Sequence, residues 1–304
     1  MIDFNIINNV LKDVYLNIIS NQLNCHTDVL LGKIKQTSDD VYGKYIIKNV
    51  WINGKMLTFK EELKNFYASI EISDKAIRCS QNSTGAVVNL LNDQVENMLK
   101  ETFYKLKGCF YTEDIKPDYL PKEIVYEPIK VTGLKKIFDI NSNTLYGLSR
   151  KDNPEINPII EHIDNFDTIK IQEIIDKNNE EVDIIVCSAK IKREYMQYML
   201  EHRQNIEVIE VDGGFKCLKF NNHLLMVQAK IPDNEIYLLN TEDFRLHQLC
   251  DWQWLGNDNE NLLKQVDGKP LYKATLVKYA DYICEKPYKQ IKIIIGENND
   301  QNAT

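Results

Sequence analysis

The sequence predicts an α+β protein with a middle block of α/β character, and three observations predict it. A long segment, GAVVNLLNDQVENMLKETFYKLKG, carries apolar residues at three- and four-residue steps. Between about 168 and 229, helix-like and strand-like spacings alternate, as in α/β units. The C-terminal part then returns to strand-like alternation in IYLLN, FRLHQLCDWQWL and LYKATLVKYADYICEKP.

In chain order, residues 3 to 23 place Phe4, Ile7, Val10, Leu11, Val14, Leu16, Ile18 and Ile19 at a loosely helical spacing. KYIIKNVWI at 44 to 52 is strand-like. Asn53-Gly54 follows, and this dipeptide suits a type I′ turn because both central residues take positive φ. NFYASIEIS at 65 to 73 is a second extended stretch, so 44 to 73 reads as a hairpin with its tip near Asn53. The helix at 86 to 107 presents Val87, Leu91, Val95, Leu99, Phe103 and Leu106, with Gly85 and Gly108 as punctuation. At 1.5 Å per residue it runs roughly 30 Å, the width of a small domain.

From 111 to 170, prolines 117, 121, 128, 154 and 158 break the pattern into short pieces. A helix near 168 to 177, the strand VDIIVCS, a helix at 189 to 203, and strands at IEVIEV, FKCLKF and HLLMVQA follow. Polar turns at GNDNEN and VDGKP separate the last strands, and the tail GENNDQNAT reads as disordered.

Composition excludes several classes of function. With 45 acidic and 37 basic residues the formal net charge is −8, which disfavours a surface gripping nucleic acid by counterion release. Seven cysteines are spread singly with no CxxC pair, as reduced thiols packed like small hydrophobes. MIDFNIINNV lacks the cationic and apolar regions of a secretory signal, and no apolar run reaches the roughly 18 residues of a membrane span. A soluble protein made in a reducing cytoplasm is expected.

One stretch invites an enzymatic reading. VCSAKIKR places Cys187 and Arg193 with five residues between them, the spacing of tyrosine-phosphatase-like loops. Such a loop converges several backbone N–H groups on a phosphate and usually needs glycine; Ser188 to Lys192 contains none. Ile191, Tyr195 and Met199 start a helical stripe at once, and no preceding histidine activates the thiol. A buried strand-end thiol is the better reading of Cys187. His247 and Cys250 lack the second ligand pair that structural zinc needs. Asp212-Gly213-Gly214 lacks the GxGxxG pattern and reads as a hairpin turn. Trp252 and Trp254 alternate as core or interface residues do, and Glu61-Glu62 and Glu180-Glu181 read as solvated surface. The expected site set is therefore empty, with no catalytic, cofactor-binding or metal-ligating residue and no cofactor.

Several stretches resemble the major capsid proteins of tailed phages of Gram-positive bacteria, which have the Hong Kong 97 capsid fold. They are LKDVYLNIISNQLN, IKQTSDDVYGKYIIK, LKNFYASIEISDKAIRCSQNSTGAVVNLLNDQVENML, LYGLSRKDNP, VDIIVCSAKIKREYMQYM, NIEVIEVDGGFKCL, YLLNTEDFRLHQLCDWQWL and GKPLYKATLVKYADYICEKP. They run in family order from about residue 11 to 287, and specificity lies in that collinearity.

The resemblance implies an N-terminal arm at 1–43, an extended loop hairpin at 44–73, a peripheral domain from 74–132 and 236–296 with the helix at 86 to 107 as its spine, an inserted α/β axial domain at 133–235, and a tail at 297–304. It implies a major capsid protein with no enzymatic activity. Copies would assemble as pentamers and hexamers into an icosahedral virion shell around double-stranded DNA, bound without sequence specificity. Scaffolding, portal and decoration proteins are the further expected partners, with no membrane. The scaffold is expected to be separate, since few residues precede the first strand. Two departures stand out: the extended loop is shorter than in the family, and YTEDIKPDYL replaces a glycine-rich turn after the spine. A capsid-derived nanocompartment shell is the nearest alternative, and a cysteine phosphatase the alternative from another class.

Overall fold

The computed structural model describes residues 4–25, 27–80, 84–112, 130–178, 181–211, 214–256 and 261–296. Their architecture rests on two sheets. The first has five strands centred on Leu271–Cys284, which pairs antiparallel with Lys64–Ser73, with Phe244–Trp254 and with short Lys264–Gln265. Lys35–Thr37 adds to Phe244–Trp254 in parallel.

The long helix spans Thr84–Tyr111. It packs on the face of Lys64–Ser73 where Phe66, Ala68, Ile70 and Ile72 alternate inward, while Asn65, Glu71 and Ser73 point to solvent. Its buried stripe runs Val87, Leu91, Val95, Met98, Thr102 and Leu106; Leu99 and Phe103 lie at its half-buried margin. Gly108 does not stop the helix. The chain stays helical through it because Phe110 and Tyr111 are buried, with the Phe110 ring 4.8 Å from Tyr282 in an edge-on contact. The apolar stripe of this helix thus finds its cover on a sheet that contains 271–284.

The N-terminal helical run buries Ile7, Leu11, Tyr15, Ile19 and Leu23, a strict four-residue repeat. A regular α-helix at 3.6 residues per turn would rotate that stripe off the core. One π-helical turn at Leu11–Tyr15, lying between Phe4–Val10 and Leu16–Cys25, supplies the extra residue that keeps it aligned. Val14 and Ile18, expected on the apolar face, are exposed instead.

The hairpin differs from the sequence expectation in its second strand. Tyr45–Ile52 pairs with Lys55–Glu62, and Asn53 and Gly54 take φ of 50° and 78° as the turn requires. KMLTFKEE forms the strand because Leu57 and Phe59 alternate inward while Met56, Thr58 and Lys60 face outward. Residues 65–73, expected as the return strand, belong to the five-stranded sheet as part of Lys64–Ser73.

The second sheet has seven strands in the order Val208–Val211, Phe215–Phe220, His223–Val227, Ile184–Cys187, Glu235–Leu239, Ile291–Ile295, Ile159–Ile163. Helices Thr168–Lys177 and Ala189–Glu201 cover one face, burying Ile171, Ile175, Ile191 and Tyr195 against Ile185, Leu225, Leu238 and Ile293. Asp167 and Ser188 cap these helices through the N–H groups of the first turn. Ile184, Val186, Met226, Tyr237 and Leu239 belong to the main core. Here lies a second correction: 235–239 and 291–295, expected in the same sheet as 271–284, pair with one another in the second sheet, where 235–239 also pairs with 184–187 and 291–295 with 159–163, because Ile236, Leu238, Ile291 and Ile293 complete the face under the two helices. Calls on the tail 297–304 and on most of YTEDIKPDYL lie outside the described residues.

Candidate functional site

Cys187 ends its strand fully buried, and burial pushes its thiol up to about 12 against the lowering pull of Lys192. It is therefore a protonated thiol at neutral pH, the reverse of an activated nucleophile. Arg193 points to solvent on the helix that starts after the Ser188 cap. No anion-gripping loop stands between them, because the N–H groups of Lys190 and Ile191 are turned to the Ser188 hydroxyl.

The other constellations resolve as packing. His247 is fully buried, with Nδ1 2.9 Å from the Asp39 carbonyl oxygen, and burial lowers its pKa. Cys250 follows a β-bulge that interrupts the strand's register. Trp252 is buried, and Trp254 donates Nε1–H to the Leu11 carbonyl at 3.2 Å. Gly214, at φ 74°, joins two antiparallel strands, and Asp212 and Gly213 lie outside the described residues. Glu61 departs from the surface reading, since its side chain is 11% exposed and accepts from Lys136 at 2.8 Å. Among the described residues no group of three or more His, Cys, Asp or Glu side chains could hold a metal, and no helix is long and apolar enough to cross a membrane.

What the fold does assemble is a set of buried polar ties between distant segments. Asp281 is fully buried and accepts from the N–H groups of Thr132 and Tyr282, each at 2.8 Å, and from the Thr132 hydroxyl at 3.2 Å. Burial raises its carboxyl to about 7. Asp28 caps the short helix Val29–Lys33 and accepts from Gln228, 200 residues away. Lys278, on the helix-facing side of its strand, reaches Asn24, Gln36 and Asp251. Strand alternation places Lys278 on one face with Ala274, Leu276 and Ala280, and a cation on an apolar face is the signal by which sequence reading could have found it.

The outward-facing feature is the hairpin tip. Trp51 and Met56 are cross-strand partners beside the Asn53-Gly54 turn and are 71% and 56% exposed. Neither closes a core, although a free apolar pair of this size is costly to leave in water.

No protein-family model and no curated protein matches the chain. Solved structures do. The capsid asymmetric unit of cyanophage A-1(L) is similar at a TM-score of 0.59 and 11% identity, covering 91% of this chain and 92% of that one. The fold is that of capsid shell subunits. The satellite phage P4 procapsid, solved with its size determination protein, is similar at 0.55 and 10% identity, over 92% and 91% of the two chains. The holo-SrpI encapsulin complex of Synechococcus elongatus PCC 7942 is similar at 0.53 and 10% identity, over 89% and 88%. The likeness extends over about nine-tenths of this chain, while the identities leave its side-chain chemistry its own.

Proposed function

We propose that the chain is the major capsid protein of a tailed phage or prophage of Gram-positive bacteria. It is a structural subunit without enzymatic activity, made in the host cytoplasm, and its function is its interfaces. Copies close as pentamers and hexamers into an icosahedral virion shell around double-stranded DNA, because closed symmetry lets each patch meet its complement on a neighbour. The observation carrying this reading is likeness to the cyanophage capsid subunit along about nine-tenths of both chains. The exposed Trp51 and Met56 pair supports it, since a projecting apolar tip suits a neighbouring copy better than water. The net charge of −8 limits sticking to the packaged genome. In this reading the hairpin at 45–62 is the extended loop, the five-stranded sheet with the long helix is the peripheral domain, and the seven-stranded sheet with its two helices is the inserted axial domain.

The test is electron microscopy of protein co-expressed with its scaffold. Closed particles tens of nanometres across, or free pentamers and hexamers, are the expected result. A chain that stays monomeric at high concentration under every such condition overturns the reading. A nanocompartment shell is the second reading, favoured by the likeness to the encapsulin complex. Particles that close without scaffold or portal and enclose a co-expressed enzyme instead of DNA would decide for it.

A further inference from the structure

Asn53 is the one asparagine in the chain that precedes a glycine. The pair forms the tip of the hairpin at φ of 50° and 78°, and both residues are exposed. A Cβ built on Gly54 meets nothing within 4 Å, so free space stands beside the turn. Among the described residues neither the Asn53 side chain nor the Gly54 N–H has a hydrogen-bond partner. The ladder beneath is closed: Ile52 is buried opposite Lys55, whose Nζ donates to Asn153 and Glu155, each at 2.9 Å. Two residues are thus free to change their backbone angles while the strands below them stay held.

A carboxamide next to an unhindered, unshared backbone N–H is the pairing that closure of a five-membered ring requires. We propose that Asn53 modifies itself, losing its amide and becoming isoaspartate, and that this change withdraws the subunit from assembly. Hydroxide takes the Gly54 amide proton, and the nitrogen attacks Cγ of Asn53. The N–Cγ bond forms, the Cγ–Nδ2 bond breaks, and Nδ2 takes a proton from water and leaves as ammonia. Water then opens the cyclic imide. Breaking the new N–Cγ bond gives aspartate; breaking the bond from the Gly54 nitrogen to the backbone carbonyl carbon gives isoaspartate, in which the chain runs on through Cγ. In sum, amide and water become carboxylate and ammonium, with no oxidant, reductant or cofactor.

The surroundings single out this residue. Every other asparagine is followed by a residue whose side chain crowds the attacking nitrogen. Ring closure carries Asn53 out of its left-handed conformation, and no hydrogen bond of the tip opposes that movement. The product is a different turn. An isoaspartyl linkage puts one more carbon into the main chain of a two-residue loop, so the type I′ geometry that sets Ile52 opposite Lys55 is lost. A carboxylate also arrives on the tip that carries the exposed Trp51 and Met56, where burial against another molecule would have to strip it of water. This consequence rests on the reading of the hairpin as a contact between copies; the chemistry does not.

Peptide mapping of the full-length, folded subunit after incubation at neutral and mildly alkaline pH tests the chemistry. The fragment holding residue 53 should gain the mass that separates an acid from its amide, faster as pH rises, and an isoaspartate methyltransferase should label it. Gly54→Ala should slow the change, because a Cβ crowds the nitrogen; should that variant fail to fold, the wild-type map still decides. The same chain denatured in guanidinium is the reference. An Asn53 that persists in the folded subunit after the denatured chain has lost it overturns the proposal, and so does a product that is aspartate alone. Fresh and aged subunits are then mixed with scaffold and sedimented. Modified residue 53 should collect in the unassembled fraction, and equal modification in particles and free subunits overturns the withdrawal. Fresh subunits that form no particles remove the assembly half together with the capsid reading, while the map decides the chemistry.

Discussion

Trp51 and Met56 face each other across the hairpin, register partners next to the turn, and both are more than half exposed. Their neighbours Ile52 and Leu57 point the other way and are buried. The hairpin therefore has one face committed to its own subunit and one available to another. Trp51→Glu should leave subunit stability within about 0.5 kcal/mol, the usual range for exposed sites. Assembly should weaken sharply, since aromatic anchors at interfaces cost about 2 kcal/mol or more when lost. Thermal unfolding of the subunit and sedimentation of particles separate the two effects.

Gly54→Val tests the same tip through the backbone. A Cβ there meets nothing within 4 Å, so the cost comes only from holding a β-branched residue at φ 78°. The loss should appear in particle yield, with circular dichroism of the subunit unchanged; a globally unfolded subunit would place the hairpin in the core.

Asp281 makes stability depend on pH with a sign opposite to that of most carboxylates. Folded, its carboxyl keeps a proton up to about pH 7; unfolded, it loses it near the ordinary aspartate value of 3.8. Between those limits the folded state binds the extra proton, so this contribution falls as pH rises from about 4 to 7 and is level above. A carboxamide in its place can keep the two backbone N–H bonds and offer its own N–H to the Thr132 hydroxyl. Asp281→Asn should therefore gain a few kcal/mol relative to wild type between pH 4 and pH 8. Urea midpoints of both proteins across that range measure the difference, and parallel curves would refute it.

Truncation after Pro270 should abolish protease resistance of the long helix. It removes Leu271–Cys284, the strand that pairs with Lys64–Ser73 beneath that helix, and also Ile291–Ile295 from the second sheet. A chain ending at Ile295 should keep the native digestion pattern, because every strand remains.

Thiol labelling checks the reading of Cys187. At pH 7 an alkylating reagent should modify the exposed Cys25 and Cys79 of the folded subunit and leave Cys187 untouched. Cys187→Ser should cost about 1 to 3 kcal/mol, the penalty of a buried hydroxyl without a partner, without changing assembly. Phosphatase activity in the wild type that disappears in this variant would overturn the structural role.

Most of the strands and the longer helices are legible because their signals are local. Thr168–Lys177, Ala189–Glu201, Phe215–Phe220, Phe244–Trp254 and Leu271–Cys284 fall where periodicity places them. The Asn53-Gly54 turn follows from the positive φ that those residues tolerate. The π turn at 11–15 escapes a sequence reading although the four-residue repeat of Ile7, Leu11, Tyr15, Ile19 and Leu23 is there to read; Val14 and Ile18 obscure it. The strand at 55–62 escapes it because its charges hide the inward alternation of Leu57 and Phe59.

By itself the sequence determined most of the segments that are helix or strand and, where the period is regular, which face of each is apolar, and it withheld the spacing that a thiolate or metal site needs. Only the tertiary structure decided the partners. A period of two says which side of a strand faces inward but not which strand lies beside it, so 65–73 could be read as a hairpin return, and 235–239 and 291–295 as strands of the sheet that holds 271–284. The same reason governs the polar ties. Lys278 and Asn24, like Asp281 and Thr132, meet only because strands and helices far apart in the chain bury a common face, and a buried charge takes the partners that packing brings to it.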